Sequence, residues 1–300
     1  MERIGNRRQF ITKAALLGVG LMLANHASWA IAPPHRYKVG VIDLMLLKRQ
    51  KISALALSKE VGADGIELDM GGLGDRETFD NKLADPVTRQ KYLDELKSLQ
   101  IDVCSMAMTG FYAQSFATRP TYQKMVGDCI ETMKAMGVKI AFLPLGVQGD
   151  LVKNPELRPA LVERMKVIGK MAKKAGVVIG IETALDASGE LKLLQDIGSN
   201  NIKSYFNFSN AIKNGRDVCE ELKVLGKKNI IQIHCTNDDG VWLQNDPKID
   251  MAKVKNTLDK MRWKGWLVVE RSRDATDPRN VKRNYSANTA YVKSIFQSDK

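Results

Sequence analysis

The chain has 300 residues, of which 44% are hydrophobic, and it carries a formal net charge of +12. This length is enough to bury a substantial core, and the basic residues follow helix-like segments without the interleaved aromatic residues of a nucleic-acid surface. The composition therefore excludes a nucleic-acid partner. Four cysteines, Cys104, Cys129, Cys219 and Cys235, lack metal-binding spacing and are expected to be packed thiols.

The first thirty residues have the parts of an export signal. Arg7 and Arg8 form a twin-arginine pair, an apolar stretch runs from Ala14 to Ala24, and the small residue Ala30 suits cleavage. The alternative is a membrane anchor, but the stretch is short for a hydrocarbon layer of ~30 Å. We expect residues 1–30 to be a twin-arginine signal peptide of a periplasmic protein that does not contact the membrane once the leader is cleaved.

Residues 31–300 are predicted to form one (β/α)₈ TIM barrel domain. Eight short apolar runs alternate with segments whose apolar residues recur at helical spacing, and one such segment stops at Gly176. Eight pairs in this length favour a closed barrel. The alternative, an open doubly wound sheet, would usually carry a glycine-rich phosphate loop after its first strand, where this chain has LLKRQK. The predicted strands are residues 37–45, 65–70, 102–108, 139–145, 177–185, 203–209, 230–236 and 266–272.

The last four predicted strands each carry a polar residue at or near the C-terminal end, where barrel enzymes place their active sites. These residues are Glu182, Asn207, His234 and Glu270. Taken singly, each has a structural alternative, and a lone histidine is usually structural. Alternation places Glu182, His234 and Glu270 on the same face of their strands. Together the four indicate a site for one divalent ion, Mn²⁺, Co²⁺, Zn²⁺ or Mg²⁺, since hard oxygens with a single nitrogen suit all of these.

Three further polar residues are candidates for substrate contacts: Glu67, Asp238 and Arg271. Each has an alternative role. Glu67 could pair with a lysine below the site, and Asp238 could cap the next helix. Arg271 should point toward the helix layer by alternation.

The segments GADGIEL, GIET, FNFSN, IQIH and VVER resemble the xylose isomerase-like barrel superfamily, and more narrowly its sugar phosphate isomerase/epimerase-type proteins. The resemblance spans nearly all of residues 37–297. It implies metal ligands from strands five to eight at Glu182, Asn207, His234 and Glu270. Asn207 stands where the family usually has aspartate, which reduces the negative charge offered to the ion.

The ketose 3-epimerases of that superfamily place an acid, a histidine and an arginine at positions that are Ser188, Asn210 and Gly240 in this chain. This chain therefore lacks the residues with which those epimerases contact sugar hydroxyls, and we do not predict that it shares their substrate. Asn210 nevertheless matches the wider family pattern and remains a candidate for binding substrate.

The resemblance implies a sugar isomerase or epimerase in which Glu182 and Glu270 are the catalytic residues and the ion polarises a carbonyl. An exported protein suits an unphosphorylated sugar or sugar derivative. Two alternatives stay open: a lyase that eliminates the aglycone of a 3-keto glycoside, and a barrel that binds sugar without turning it over. The DNA-repair nucleases that share this barrel need several histidines, whereas His234 is the only one within the eight predicted strands and their helices. The sequence leaves the oligomeric state open.

Overall fold

Eight parallel strands close into a barrel in the order β1 to β8. The computed structural model describes residues 36–73 and 76–298, so the predicted signal peptide lies outside the described residues. The predicted (β/α)₈ fold is confirmed. The strands are β1 (Tyr37–Ile42), β2 (Gly65–Asp69), β3 (Asp102–Ala107), β4 (Ile140–Pro144), β5 (Val178–Glu182), β6 (Ile202–Asn207), β7 (Ile230–His234) and β8 (Gly265–Val269).

The α-helices in the described part of the chain follow the strands, with two of them after β6. They are α1 (Ser53–Glu60), α2 (Pro86–Leu99), α3 (Tyr122–Met136), α4 (Arg158–Ala175), α5 (Ala187–Ile197), α6 (Phe208–Lys213), α7 (Val218–Leu225), α8 (Met251–Lys260) and α9 (Val281–Phe296). None of these helices is long and apolar enough to cross a membrane.

The barrel closes because β1 pairs in parallel with both β2 and β8. Gly40 lies opposite Gly65 on one side and opposite Val268 on the other. Closure leaves no free sheet edge, and it brings the C-terminal ends of all eight strands around one opening.

Local sequence signals start and stop the helices that surround the barrel. Aspartates cap α2, α5, α7 and α8 by accepting backbone N–H groups in the first turn. Helix α4 ends as predicted at Gly176, whose φ of 67° suits a residue without a side chain. These signals set the lengths of the helices and so the places where the chain returns to each strand.

Two apolar layers fix the strands. Residues that point outward, such as Ile181, Cys235 and Val269, pack beneath the helices. Inside the barrel a smaller apolar group forms from Ile42, Ala107, Phe142 and Tyr205. The four cysteines are buried and free, which confirms the prediction of packed thiols.

The predicted strands were generally too long at their C-terminal ends. Strand β5 stops at Glu182, not at residue 185, and β8 stops at Val269, one residue before Glu270. Each of these strands therefore ends within one residue of a polar side chain, Glu182 or Glu270, at the barrel opening.

Candidate active site

The four residues predicted as metal ligands lie together at the C-terminal end of the barrel. Glu182, Asn207 and His234 are the last residues of β5, β6 and β7, and Glu270 directly follows β8. His234 is fully buried, and the other three are buried or nearly so. The structure therefore brings the whole set to one place, which we call the carboxylate floor.

His234 is held between acidic side chains on both edges of its ring. Its Nδ1 lies 3.2 Å from Oε2 of Glu182 and 3.6 Å from Oε2 of Glu270. Its Nε2 lies 3.2 Å from Oε1 of Glu67. The rings of Phe142 and Tyr205 pack against the imidazole with centroid distances of 4.8 and 4.5 Å. The ring orientation is thus set by packing and by hydrogen bonds together.

Asn207 connects the two glutamates of the floor. Its Nδ2 donates to Oε2 of Glu182 at 2.9 Å and to Oε2 of Glu270 at 3.2 Å. Its Oδ1 accepts the backbone N–H of Ser209 at 2.9 Å and thereby caps α6. The amide nitrogen, not the amide oxygen, faces the carboxylates.

Glu67 lies beneath His234 and is not part of the cavity wall. Its Oε2 accepts hydrogen bonds from the hydroxyls of Ser105 at 2.6 Å and Tyr205 at 2.7 Å, and its side chain is fully buried. Gln232 donates to both of these hydroxyls. Glu67 was predicted to contact substrate or, alternatively, to pair with a lysine. In the structure it instead lies below His234 and holds the ring through Nε2.

The surroundings shift the pKa values of Glu182 and Glu270 in opposite directions. Burial acts to raise the pKa of Glu182, but the hydrogen bond and charge of His234, with hydrogen bonds from Asn207 and Tyr112, hold that pKa below its ordinary value. Burial raises the pKa of Glu270, and the charge of Glu182 adds to this effect although His234 opposes it. Two carboxylates with opposite protonation tendencies are what a paired acid and base require.

The pKa of His234 follows the acidic surroundings. Burial acts to lower it, but the charges of Glu270 and Glu67 and the hydrogen bonds with Glu182 and Glu67 outweigh burial and raise it well above its ordinary value. The acidic surroundings therefore favour the protonated form of the imidazole.

Above the floor opens a cavity of about 700 Å³. One part of its wall is apolar and comes from the loops after β1 and β4, with Leu44, Met45, Val147 and Val152. Val147 and Val152 are 65% and 55% exposed, so their apolar surfaces are accessible from the cavity. The cavity therefore has a polar, acidic bottom and an apolar upper wall.

The predicted substrate residues Asn210 and Asp238 line the same cavity. Asn210 donates from Nδ2 to the backbone oxygen of Thr183. Asp238 does not cap a helix; its Oδ1 lies 2.8 Å from Nζ of Lys213 and accepts the Ser209 hydroxyl. Both residues are placed to meet a ligand that reaches down to the floor.

The predicted orientation of Arg271 is wrong. Arg271 lines the cavity and does not point into the helix layer. Alternation fails because β8 has already ended at Val269 and Ser272 adopts a φ of 62°. A cationic group thus stands at the rim of an acidic site.

Tyr112 is a site residue that the sequence did not predict. It lies in a short 3₁₀ helix (Thr109–Tyr112) after β3, and its hydroxyl donates to Oε1 of Glu182 at 3.1 Å. Tyr205 and Gln232 were also missed. They precede Asn207 and His234 by two residues, so alternation already assigned them to the barrel interior.

The donor set suits a divalent cation. Glu182 and Glu270 offer carboxylate oxygens, and Nδ1 of His234 faces both of them. Glu67, at Nε2, is the carboxylate partner that metal-binding histidines usually have. Across residues 36–73 and 76–298, no three acidic, histidine or cysteine side chains already surround one point as ligands would. In this structure the floor residues bond directly to one another.

Behind the floor, Glu190 is a buried acid with a measurable effect on stability. It accepts the Thr183 hydroxyl at 3.1 Å, and burial raises its pKa from 4.5 to about 7. The folded protein therefore keeps a proton on Glu190 that the unfolded chain loses near pH 4.5. Its contribution to stability is complete below pH 4.5 and is lost as the pH rises through about 7.

We predict that Glu190→Gln removes this loss. Above pH 7 the variant should have a free energy of unfolding up to roughly 3 kcal/mol higher than the parent, and the gain should shrink to nothing near pH 4.5. Urea denaturation at several pH values measures this difference. Glu131→Gln, at an exposed position, is the control and should show no such trend. An equal offset at every pH would contradict the assignment.

Fold and site together define a (β/α)₈-barrel protein with an acidic, histidine-containing centre at the C-terminal ends of its strands. A family model described as xylose isomerase-like TIM barrel matches residues 55–294. The chain belongs to this family. No curated protein matches it in sequence.

Solved structures of similar fold share little sequence with the chain. A sugar phosphate isomerase/epimerase from Parabacteroides distasonis is 15% identical with a TM-score of 0.67, over 89% of this chain and 97% of that one. A D-allulose 3-epimerase from Methylomonas sp., in complex with D-allulose, is 13% identical with a TM-score of 0.65, over 88% and 98%. A 3-keto-D-glucoside 4-epimerase from E. coli is 14% identical with a TM-score of 0.65, over 86% and 99%. At these identities the likeness concerns the fold.

Proposed function

We propose that the protein is a divalent-metal-dependent isomerase or epimerase that acts on an unphosphorylated sugar or sugar derivative. The observation that carries this proposal is the pairing of Glu182 and Glu270 at the bottom of the cavity, with Nδ1 of His234 facing both carboxylates. Structures of the same fold that are named as sugar epimerases support the reaction class.

The two glutamates perform the proton transfers of this reaction. One carboxylate takes the proton from the carbon next to the substrate carbonyl, and the electron pair of that C–H bond moves to form an enediolate of the sugar. If the other glutamate returns a proton from the opposite face, the carbon is epimerised. If the proton is returned to the neighbouring carbon, an aldose and a ketose interconvert. The lowered pKa of Glu182 favours it as the base and the raised pKa of Glu270 favours it as the acid.

The ion would be held by Glu182, His234 and Glu270, and it would polarise the carbonyl and offset the charge of the enediolate. Glu67 would fix the ring of His234 through Nε2, so that Nδ1 stays directed at the site. Asn210, Asp238 and the Tyr112 hydroxyl would orient the sugar along the cavity wall.

The substrate class follows from the predicted location and from the wall. The predicted twin-arginine leader would direct the protein to the periplasm, whereas phosphorylated sugars are kept in the cytoplasm. We infer an unphosphorylated substrate on that ground. The cavity volume is within the range of ~300–1,000 Å³ that is usual for small-molecule sites.

A lyase that acts on 3-keto glycosides is the second candidate, and the apolar wall favours it. Val147 and Val152 offer an exposed surface on which an aglycone could pack. With the carbonyl at C3, the same base would remove the proton from C2. The electron pair would form a C1–C2 double bond as the C1–O bond breaks, and the aglycone would leave with the glycosidic oxygen.

Solvent hydrogen exchange tests the proposal. The Mn²⁺-loaded protein is incubated in D₂O with a panel of aldoses, ketoses and 3-keto glycosides, and carbon-bound deuterium is followed by NMR. Protein stripped of metal with EDTA is the control. We expect metal-dependent exchange at one carbon of one sugar class. Exchange with release of an aglycone would select the lyase. Binding of sugar without exchange would leave a non-catalytic barrel and overturn the enzymatic proposal.

A further inference from the structure

Both polar atoms of the Asn207 side-chain amide make hydrogen bonds, one as an acceptor and the other as a donor. Oδ1 accepts the N–H of Ser209 at 2.9 Å, while Nδ2 donates to Glu182 at 2.9 Å and to Glu270 at 3.2 Å. Every one of these contacts pairs a donor with an acceptor. The side chain is 7% exposed, so water offers little alternative.

Rotating the amide by 180° would reverse all three contacts. The NH₂ group would then face the N–H of Ser209, and Oδ1 would face two carboxylate oxygens. The N-cap of α6 would be lost as well. The hydrogen-bonding partners therefore determine which amide atom faces the floor.

An aspartate at this position would have no such restriction. One of its oxygens could accept the N–H of Ser209 and the other could bind a cation, because both are acceptors. In Asn207 the oxygen is directed at the N–H of Ser209, and the atom that faces the floor is the amide nitrogen, which has no lone pair to offer a metal. In addition, the oxygens that accept from Nδ2 are those that face Nδ1 of His234.

We infer that Asn207 is not a metal ligand but a hydrogen-bond donor that links Glu182 to Glu270 and competes with the cation for their oxygens. The inference rests on the proposed function, because it takes the ion to bind at the floor. It revises the predicted ligand set to Glu182, His234 and Glu270. Binding of the ion at these oxygens then opposes both hydrogen bonds from Nδ2, so the metal is held more loosely than by a set in which residue 207 supplies an oxygen.

Titration of metal-free protein with Mn²⁺, with free Mn²⁺ followed by electron paramagnetic resonance, tests the inference without any activity measurement. Asn207→Asp should bind Mn²⁺ at least about tenfold more tightly than the parent, because it adds an oxygen ligand and a charge. Asn207→Ala should bind Mn²⁺ more tightly than the parent, because it removes a competitor and no ligand. Asn214→Ala is the matched control and should bind like the parent, because Asn214 follows α6 and its Nδ2 donates to the backbone oxygen of Asn210.

Thermal unfolding supplies a second readout. Without metal, Asn207→Asp should unfold at a lower temperature than the parent, because a third carboxylate joins Glu182 and Glu270. Saturating Mn²⁺ should raise its unfolding temperature by more than that of the parent.

Two outcomes would overturn the inference: Asn207→Ala binding Mn²⁺ no more tightly than the parent, or Asn207→Asp binding no more tightly than the parent. Failure of the proposed function looks different. Mn²⁺ binding with these affinities but without hydrogen exchange into any sugar would retain the inference and remove the isomerase.

Discussion

Glu270→Gln is expected to lower the rate of hydrogen exchange into the substrate by about 10²–10⁴-fold. The glutamine keeps the size of the side chain and can still bond to Asn207, but it cannot give or take a proton. Glu182→Gln should cause a loss of the same order, since the two carboxylates face Nδ1 of His234 from the same floor. The measurement is the rate of deuterium incorporation by NMR at saturating substrate and Mn²⁺.

Measuring the exchange rate of both variants with each epimer of the substrate as the starting sugar distinguishes the roles of the two glutamates. If each serves one face of the carbon, one variant loses exchange from one epimer and the other variant from its partner. Glu163→Gln, on the exposed surface of α4, should retain the parental rate. A Glu270→Gln variant that exchanges at the parental rate from both epimers would exclude this carboxylate from the chemistry.

Glu67→Leu is expected to lower the free energy of unfolding by about 3–5 kcal/mol. The reason is the number of partners that would be left without an acceptor in a fully buried place: Nε2 of His234, the Ser105 hydroxyl and the Tyr205 hydroxyl. Chemical denaturation of the metal-free protein measures the loss, so the result does not depend on the identity of the ion.

Tyr205→Phe is the comparison for this prediction. It removes one of the bonds to Glu67 and the bond from Gln232, and keeps the ring against His234, so its cost should be only about 1–3 kcal/mol. If Glu67→Leu were as stable as Tyr205→Phe, Glu67 would not be the centre of the buried network.

The sequence predicted the fold and the positions of the floor residues because both follow from periodicity. Eight apolar runs imply eight strands, and a polar residue that ends an apolar run, such as Glu182 or His234, has no other use in the core. Alternation along β6 and β7 also implies that Tyr205 and Gln232 point into the barrel interior.

The remaining features depend on contacts between distant parts of the chain. Tyr112 reaches Glu182 from a 3₁₀ helix that no periodic pattern marks. The support that Glu67 gives to His234 spans 167 positions of sequence. The amide orientation of Asn207 depends on a backbone N–H two residues later, and residue identity alone does not contain that information.

The cavity wall and the carboxylate floor are built from different parts of the fold. The floor stands at the ends of strands locked by barrel closure, whereas Val147 and Val152 belong to the connection between β4 and α4. Changes in that connection are best confined to the stretch beyond Leu145, because the N–H of Leu145 donates to the backbone oxygen of Glu182 at 2.9 Å. Engineering for a new substrate should therefore begin in this loop, since altering it reshapes recognition and leaves the reacting groups in place.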